Sequence, residues 1–365
     1  MKRLTLNLHL YVGLVAAFFL ILLSISGAII TFENQLNRAF HPQLTNVTPE
    51  GLPLDWDSVR DRVEQQAPDW KLIRFYFPDR PDRSTYVRLR SSKTHSIRHV
   101  YVNQYTGAIL GSTEDGSNWI LKVHDLHVNL MSGKIGNRIV AWSTFGLLLL
   151  SLSGMVLWWP RKVFRFQRES PWVRLNRDLH YTVGFWSFLA MFGFSVTGLA
   201  LHYQTGKLLN LLNTPARAIS TPGHGTTIEG MLRTARETLP GSTIPRLLLP
   251  ERAADPVFIY QRFPEDKTPA GRSFTTLDPR TGAVLSFGST RTAPVLQTAL
   301  VQWTREIHTG TILGISTQIA ASFFGLMLSV LAITGPVIWI SKQWASARGR
   351  RALVKRNKAH VLSAD

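Results

Sequence analysis

The chain has no cysteine, which excludes disulfides, thiolate-held iron–sulfur clusters and thiol nucleophiles. No Asp, Glu, Lys or Arg interrupts residues 10–32, 139–159, 181–203 or 311–340. No glycine-rich dinucleotide fingerprint or phosphate loop follows a strand-like run, so recognisable NAD(P)H- and ATP-binding motifs are absent. Acidic residues are few, 23 against 41 Lys and Arg, and the 365 residues carry a net charge of +18.

Each uncharged run reaches the roughly 20 apolar residues that a spanning helix needs, so the sequence describes an integral membrane protein. The first run follows Met1-Lys2-Arg3, exceeds a signal-peptide core and has no small-x-small cleavage site; it reads as an uncleaved helix. Lys2 and Arg3, the six basic residues of 160–178, and those from Lys342 to Lys358 fall on one side of four spans. Basic residues beside short loops mark the cytoplasmic side, so both termini are expected there. Topology and anionic-lipid contact account for the charge without a nucleic-acid partner.

The halves repeat. His9 precedes Ser26-Gly27 by the spacing that separates His180 from Thr197-Gly198. "SGMVLWW" (153–159) matches "TGPVIWI" (334–340), and 26 residues before Ser153 and Thr334 stand His127 and His308. Between the spans of each half, a helical pattern precedes alternating strands and a Thr-Gly turn, in "VNQYTGAIL" (102–110) and "LDPRTGAVL" (277–285). The expected organisation is helix 1 (8–33), α+β domain (34–122), helix 2 with an external extension (123–160) and a basic loop (161–178). Helix 3 (179–203), a second α+β domain (204–303), helix 4 (304–341) and a basic tail (342–365) complete it.

Histidine at membrane depth is costly and marks a candidate site. His9 and Gly13 share a helix face, as do His180 and Gly184, and Gly27 and Gly198 lie five turns further on. Such a stripe leaves room beside an imidazole for a flat macrocycle, and neutral imidazole is an axial ligand of haem iron. The plainer alternative is a histidine reaching the headgroups, with small residues serving helix packing. Recurrence in both halves favours His9 with His180 as one ligand pair. His127 and His308 form the second candidate pair, at the external ends of helices 2 and 4, and His124 or His202 can replace a member. His41, His95, His99, His224 and His360 lie in polar segments and read as surface residues.

On "LHLYVGL…ISGAI", "HDLHVNL…SLSGMVLWWP", "RDLHYTVGFWSF…VTGLAL", "REIHTG…AITGPVIWI" and the two Thr-Gly hairpins, the sequence resembles the PepSY-associated transmembrane-helix proteins. That family includes inner-membrane siderophore reductases of Gram-negative bacteria. The resemblance implies a four-helix transmembrane bundle with two periplasmic PepSY-type α+β domains in the bacterial inner membrane. It further implies b-type haems, here two, between the helices, and electrons passed outward to ferric iron in a periplasmic siderophore. The electron donor would be a cytoplasmic protein or a quinol. Arg74, Tyr76, Arg88 and Trp119 are candidate substrate contacts. The alternative is a haem-free PepSY protein that binds or regulates a periplasmic peptide or protease, or serves a transporter as accessory subunit.

Overall fold

A computed structural model describes residues 2–114, 118–160, 171–204, 217–252, 254–294 and 303–362. The first half runs α1 (Lys2–Ile30), α2 (Glu33–Phe40), α3 (Pro42–Thr45), α4 (Trp56–Gln66), β1 (Trp70–Tyr76), β2 (Thr85–Ser91), β3 (Ile97–Val102), β4 (Ile109–Glu114), α5 (Trp119–Asn129) and α6 (Gly133–Trp158). The second runs α7 (Trp172–Gln204), β5 (Arg217–Thr221), α8 (Ile228–Thr238), β6 (Thr243–Leu248), β7 (Val257–Arg262), β8 (Ser273–Leu277), β9 (Val284–Gly288), α9 (Thr304–His308) and α10 (Ile315–Leu362). The chain divides into a helical unit, Met1–Thr31, His124–His202 and Ile315–Asp365, and a sheet unit, Phe32–Val123 and Tyr203–Gly314.

Four helices of the helical unit, α1, α6, α7 and α10, are long and apolar enough to cross a membrane. Small residues let them approach closely. Ala16, Ala17 and Ala28 of α1 and Ala332 of α10 are buried, and Gly325 lies against Ala28. Ser24 hydrogen-bonds Ser329, Ser322 donates to the Ala28 carbonyl (3.2 Å), and Gln318 donates to the Thr31 carbonyl (2.8 Å).

The helix limits differ from the sequence reading at all four spans; helix 1, expected over 8–33, runs from Lys2 to Ile30. The extended helix 2 expected over 123–160 is broken into α5 and α6, because Leu130, Met131 and Gly133 turn left-handed (φ 52°, 54° and 55°). There Gly136 passes so close to the Asn129 carbonyl that a Cβ would overlap it. Helix 4, expected over 304–341, is split by Gly310 and Gly314 (φ 71° and 82°), and α10 then continues far into the basic tail. Helix 3 starts earlier than expected and takes residues 172–178 from the basic loop. Arg161, Lys162, Arg165 and Arg168 of that loop lie outside the described residues.

The sheet unit also departs from expectation. The segments read as two α+β domains supply a single nine-stranded antiparallel sheet, ordered β4-β3-β2-β1-β6-β7-β8-β9-β5. The join is β1 with β6, where Phe75 faces Leu247 and Tyr76 faces Arg246. Alternation, with an irregularity in β1 between Leu72 and Arg74, puts Leu72, Phe75, Val87, Leu89, Leu247 and Ile259 on one face, where they bury Val59 and Val63 of α4 and Leu232 of α8. The two helices also cap one another. Asp57 accepts from the backbone N–H of Ile228 (2.9 Å) and Glu229 (3.2 Å), while Trp56 N–H donates to Glu229 (3.4 Å). Each has its own cap as well, Asp55 for α4 and Thr227 for α8. In the Thr-Gly turns, Gly107 and Gly282 both adopt φ 71°, a conformation that glycine takes without a Cβ clash.

Candidate functional site

His9 on α1 and His180 on α7 meet in the helical unit. Their ring centroids lie 6.4 Å apart with planes at 85°. Both line a cavity of about 250 Å³ together with Gly13 and Gly184. Its walls are otherwise mostly apolar, with Asn7, Ser151 and Lys342 among them, and Trp158 stacks on Phe185 there at 4.1 Å.

The orientation of each imidazole follows from bonds on the two helices that the sequence reading had not connected to the site. His9 Nδ1 lies 2.9 Å from Ser153 Oγ, and His180 Nδ1 lies 2.7 Å from Thr334 Oγ1. The single hydroxyl proton of Ser153 goes to the Leu149 carbonyl (2.6 Å), and that of Thr334 to the Val330 carbonyl (2.7 Å). Each hydroxyl oxygen therefore accepts from Nδ1–H, and each ring keeps its lone pair on Nε2. This is how ligating histidines are held, with the second nitrogen donating to a fixed acceptor. Gly154 and Gly335 leave room for the rings: a Cβ there would stand 3.2 Å from His9 Cε1 and 3.4 Å from His180 Cε1. The signal was legible, since the Ser-Gly and Thr-Gly pairs of 153–154 and 334–335 occupy matching places in the repeat.

The residues fit a haem. His9 and His180 would hold it through Nε2 beside an apolar cavity, and the bound group would supply one-electron chemistry. Among the described residues no group of three or more His, Asp or Glu could encage a bare ion.

His127 sits near the other end of α1. Its Nδ1–H donates to the Leu23 carbonyl (2.9 Å), with Ser26 Oγ at 3.3 Å, so its lone pair is also on Nε2. Gly27 meets this ring, and a Cβ there would lie 2.8 Å from His127 Cε1. The expected His–Gly–Gly stripe is therefore not one open channel: at Gly27 the space is taken by an imidazole. Gly13 packs against Leu150 and Gly184 against Leu331, and neither Gly27 nor Gly198 lines the cavity. His124, one turn before His127 on α5, and His202, near the end of α7, belong to the helical unit. His308 ends α9 in the sheet unit. The His127–His308 pair thus draws on both units and stays an expectation.

Among the remaining histidines, His99 is not a surface residue; it is buried and hydrogen-bonds Tyr86. His224 pairs with Glu237. Arg74, Tyr76 and Arg88 come together on the sheet, whereas Trp119 packs on Phe40 at 5.6 Å and takes no part there.

Residues 6–342 match the family described as "PepSY-associated TM region". No curated protein matches the chain. The four long apolar helices and this match make it a multi-pass membrane protein.

Proposed function

The chain belongs to the PepSY-associated TM family, and on that premise we propose that it is a di-haem b oxidoreductase of the bacterial inner membrane, with both termini cytoplasmic. Its task is to pass electrons to ferric iron chelated by a siderophore in the periplasm, where the sheet unit lies. The observation that carries this reading is the His9–His180 pair, two imidazoles 6.4 Å apart with both Nδ1–H groups committed to hydroxyl oxygens.

His9 and His180 would hold one haem through Nε2. His127 would hold the second, with His308, His124 or His202 opposite. A bound haem supplies one-electron exchange between ferric and ferrous iron. Ser153 and Thr334 fix the ligand tautomers, and Leu, Phe and Trp side chains line most of the cavity beside the pair. His9 and Gly27 are 18 residues apart on α1, about 27 Å, so the two histidine sites span roughly the hydrocarbon thickness. Reduction of the substrate iron weakens its bonds to hard oxygen donors and frees Fe(II) from an intact siderophore. The electrons come from a cytoplasmic protein or a quinol.

The test is an absorption spectrum of the protein purified after haem-replete expression, before and after dithionite. A Soret band with sharp reduced α and β bands is expected, and protein without them refutes the redox reading. His9→Ala and His180→Ala should each remove the same haem and spare the one that His127→Ala removes.

A further inference from the structure

The face of the sheet opposite α4 and α8 carries an unusual concentration of positive charge. Arg74 of β1 and Arg88 of β2 are direct cross-strand partners, a like-charge pairing that destabilises a sheet. Arg246 of β6 stands opposite Tyr76, two residues along β1 from Arg74. Arg74 and Arg246 are the arginines of matching strands in the two halves, brought together by the β1–β6 join.

Tyr76 lies at the centre. Its hydroxyl accepts from Arg74 Nη1 (3.1 Å), Arg246 is its cross-strand partner, and the Arg88 and Arg74 guanidinium groups lie 5.9 and 6.0 Å from its ring centre. Arg246 stacks on Tyr260 at 3.7 Å. Burial raises the Tyr76 phenol, but the Arg74 hydrogen bond and the charges of Arg88, Arg74 and Arg246 outweigh it and hold the phenol below its ordinary value.

No carboxylate among the described residues pairs with Arg74, Arg88 or Arg246, and the Nε of each is buried without a hydrogen-bond acceptor. Arg90, next on the same face of β2, is treated differently: it pairs with Glu251 at 3.0 Å. Glu33 acts on Tyr101, two strands from Tyr76 in the same row. Guanidinium groups stacked on aromatic rings present planar donor forks suited to oxyanions.

We propose that Arg74, Arg88 and Arg246, set around Tyr76, form a binding site for a multiply charged oxyanion ligand. On the siderophore reading given above, this selects ferric chelates of net negative charge, the catecholate or carboxylate class, over neutral hydroxamates. The join of the two halves builds the site, since neither half supplies all three arginines.

The test uses the full-length protein in detergent and two redox-inert probes of similar shape. These are the gallium(III) complexes of a hexadentate tris-catecholate, triply negative, and of a hexadentate tris-hydroxamate, neutral. Calorimetric titration should show the catecholate complex binding at least about tenfold more tightly, with affinity falling as salt rises. Arg88→Gln and Arg246→Gln should each weaken it by about tenfold or more, and Arg246→Lys by less. Arg80→Gln, on an exposed pair with Asp82, serves as the control that leaves binding unchanged. Equal affinity for both complexes, or wild-type affinity in well-folded arginine variants, overturns the proposal. If the Gln variants do not fold, the salt dependence and the preference between the two complexes decide it on the unmodified protein. The haem spectrum of the same preparation separates the two readings. Arginine-dependent catecholate binding without haem refutes the redox reading alone, and haem without charge preference refutes the oxyanion site alone.

Discussion

Thr334→Val keeps the β-branched shape of the side chain and removes one oxygen, the acceptor of the 2.7 Å bond from His180 Nδ1. The Thr334 hydroxyl also donates to Val330 within its own helix, and valine dispenses with that bond at little cost because both of its partners are helical. The imidazole has no such recourse. Its Nδ1–H is left facing an apolar wall, a loss of about 1–3 kcal/mol for a buried donor, unless the proton moves to Nε2. In that tautomer the ring has no lone pair where a metal is to be bound. Loss of such a supporting bond weakens metal affinity by about 10–100-fold, equivalent to about 1.4–2.7 kcal/mol. The assay is transfer of haem from the purified protein to excess apomyoglobin, followed by absorbance, with the haem content of each preparation measured first. Thr334→Val should release one of two haems faster by that factor and leave the other unchanged. Ser153→Ala should speed release of the same haem, because it removes the oxygen that faces His9 Nδ1. Thr144→Val, whose hydroxyl bonds only the Val140 carbonyl of α6, is the control. Transfer from Thr334→Val at the wild-type rate, with both haems present, would refute the tautomer argument.

Three further outcomes follow from other contacts. Gly27→Ala drives a Cβ to 2.8 Å from His127 Cε1, so the ring must move off the Leu23 carbonyl; a thermal melt should show a loss of about 1–3 kcal/mol, with haem loss confined to the His127 end. Asp57→Ala removes the acceptor for two backbone N–H groups at the start of α8 and should cost about 1–2 kcal/mol in chemical denaturation of the sheet unit. Acid should also destabilise this unit. Ser58 holds Asp55, His224 with Arg233 holds Glu237, and Arg291 holds Glu265 below the ordinary carboxylate range. A carboxyl whose folded value is lowered binds fewer protons folded than unfolded, so its stabilisation is present above the unfolded value of about 4 and lost as pH falls through the folded one. The melting temperature should therefore drop below about pH 4, and the triple Asn/Gln variant at these positions should flatten that drop.

Much of this was legible in local pattern. A run of uncharged residues long enough to span a bilayer has few other places to go, whatever its neighbours, and the four spans stand where the runs lie. Period-two alternation and the Thr-Gly dipeptides placed β3–β4 and β8–β9 as hairpins, because side-chain direction and positive φ are properties of a few adjacent residues. The repeat singled out His9 and His180, and the fold brings them together. Helix breaks were less visible. Leu130 and Met131 are not residues that advertise a left-handed turn, and it is the close packing of Gly136 on Asn129 that accommodates one.

By itself, then, the sequence determined a membrane-spanning chain in two similar halves, each with a histidine at the mouth of its first helix. Only the tertiary structure decided that the intervening segments share one sheet, since pairing between strands as distant as β1 and β6 depends on long-range register rather than local propensity. It also decided which oxygen meets each imidazole. Helix rotation is set by how small residues such as Gly154 and Gly335 let neighbours approach, and that rotation delivers Ser153 and Thr334 to Nδ1. "LHLYVGL" holds half of that arrangement; "SGMVLWW" and "TGPVIWI", from other helices, hold the atoms that leave the His9 and His180 lone pairs on Nε2.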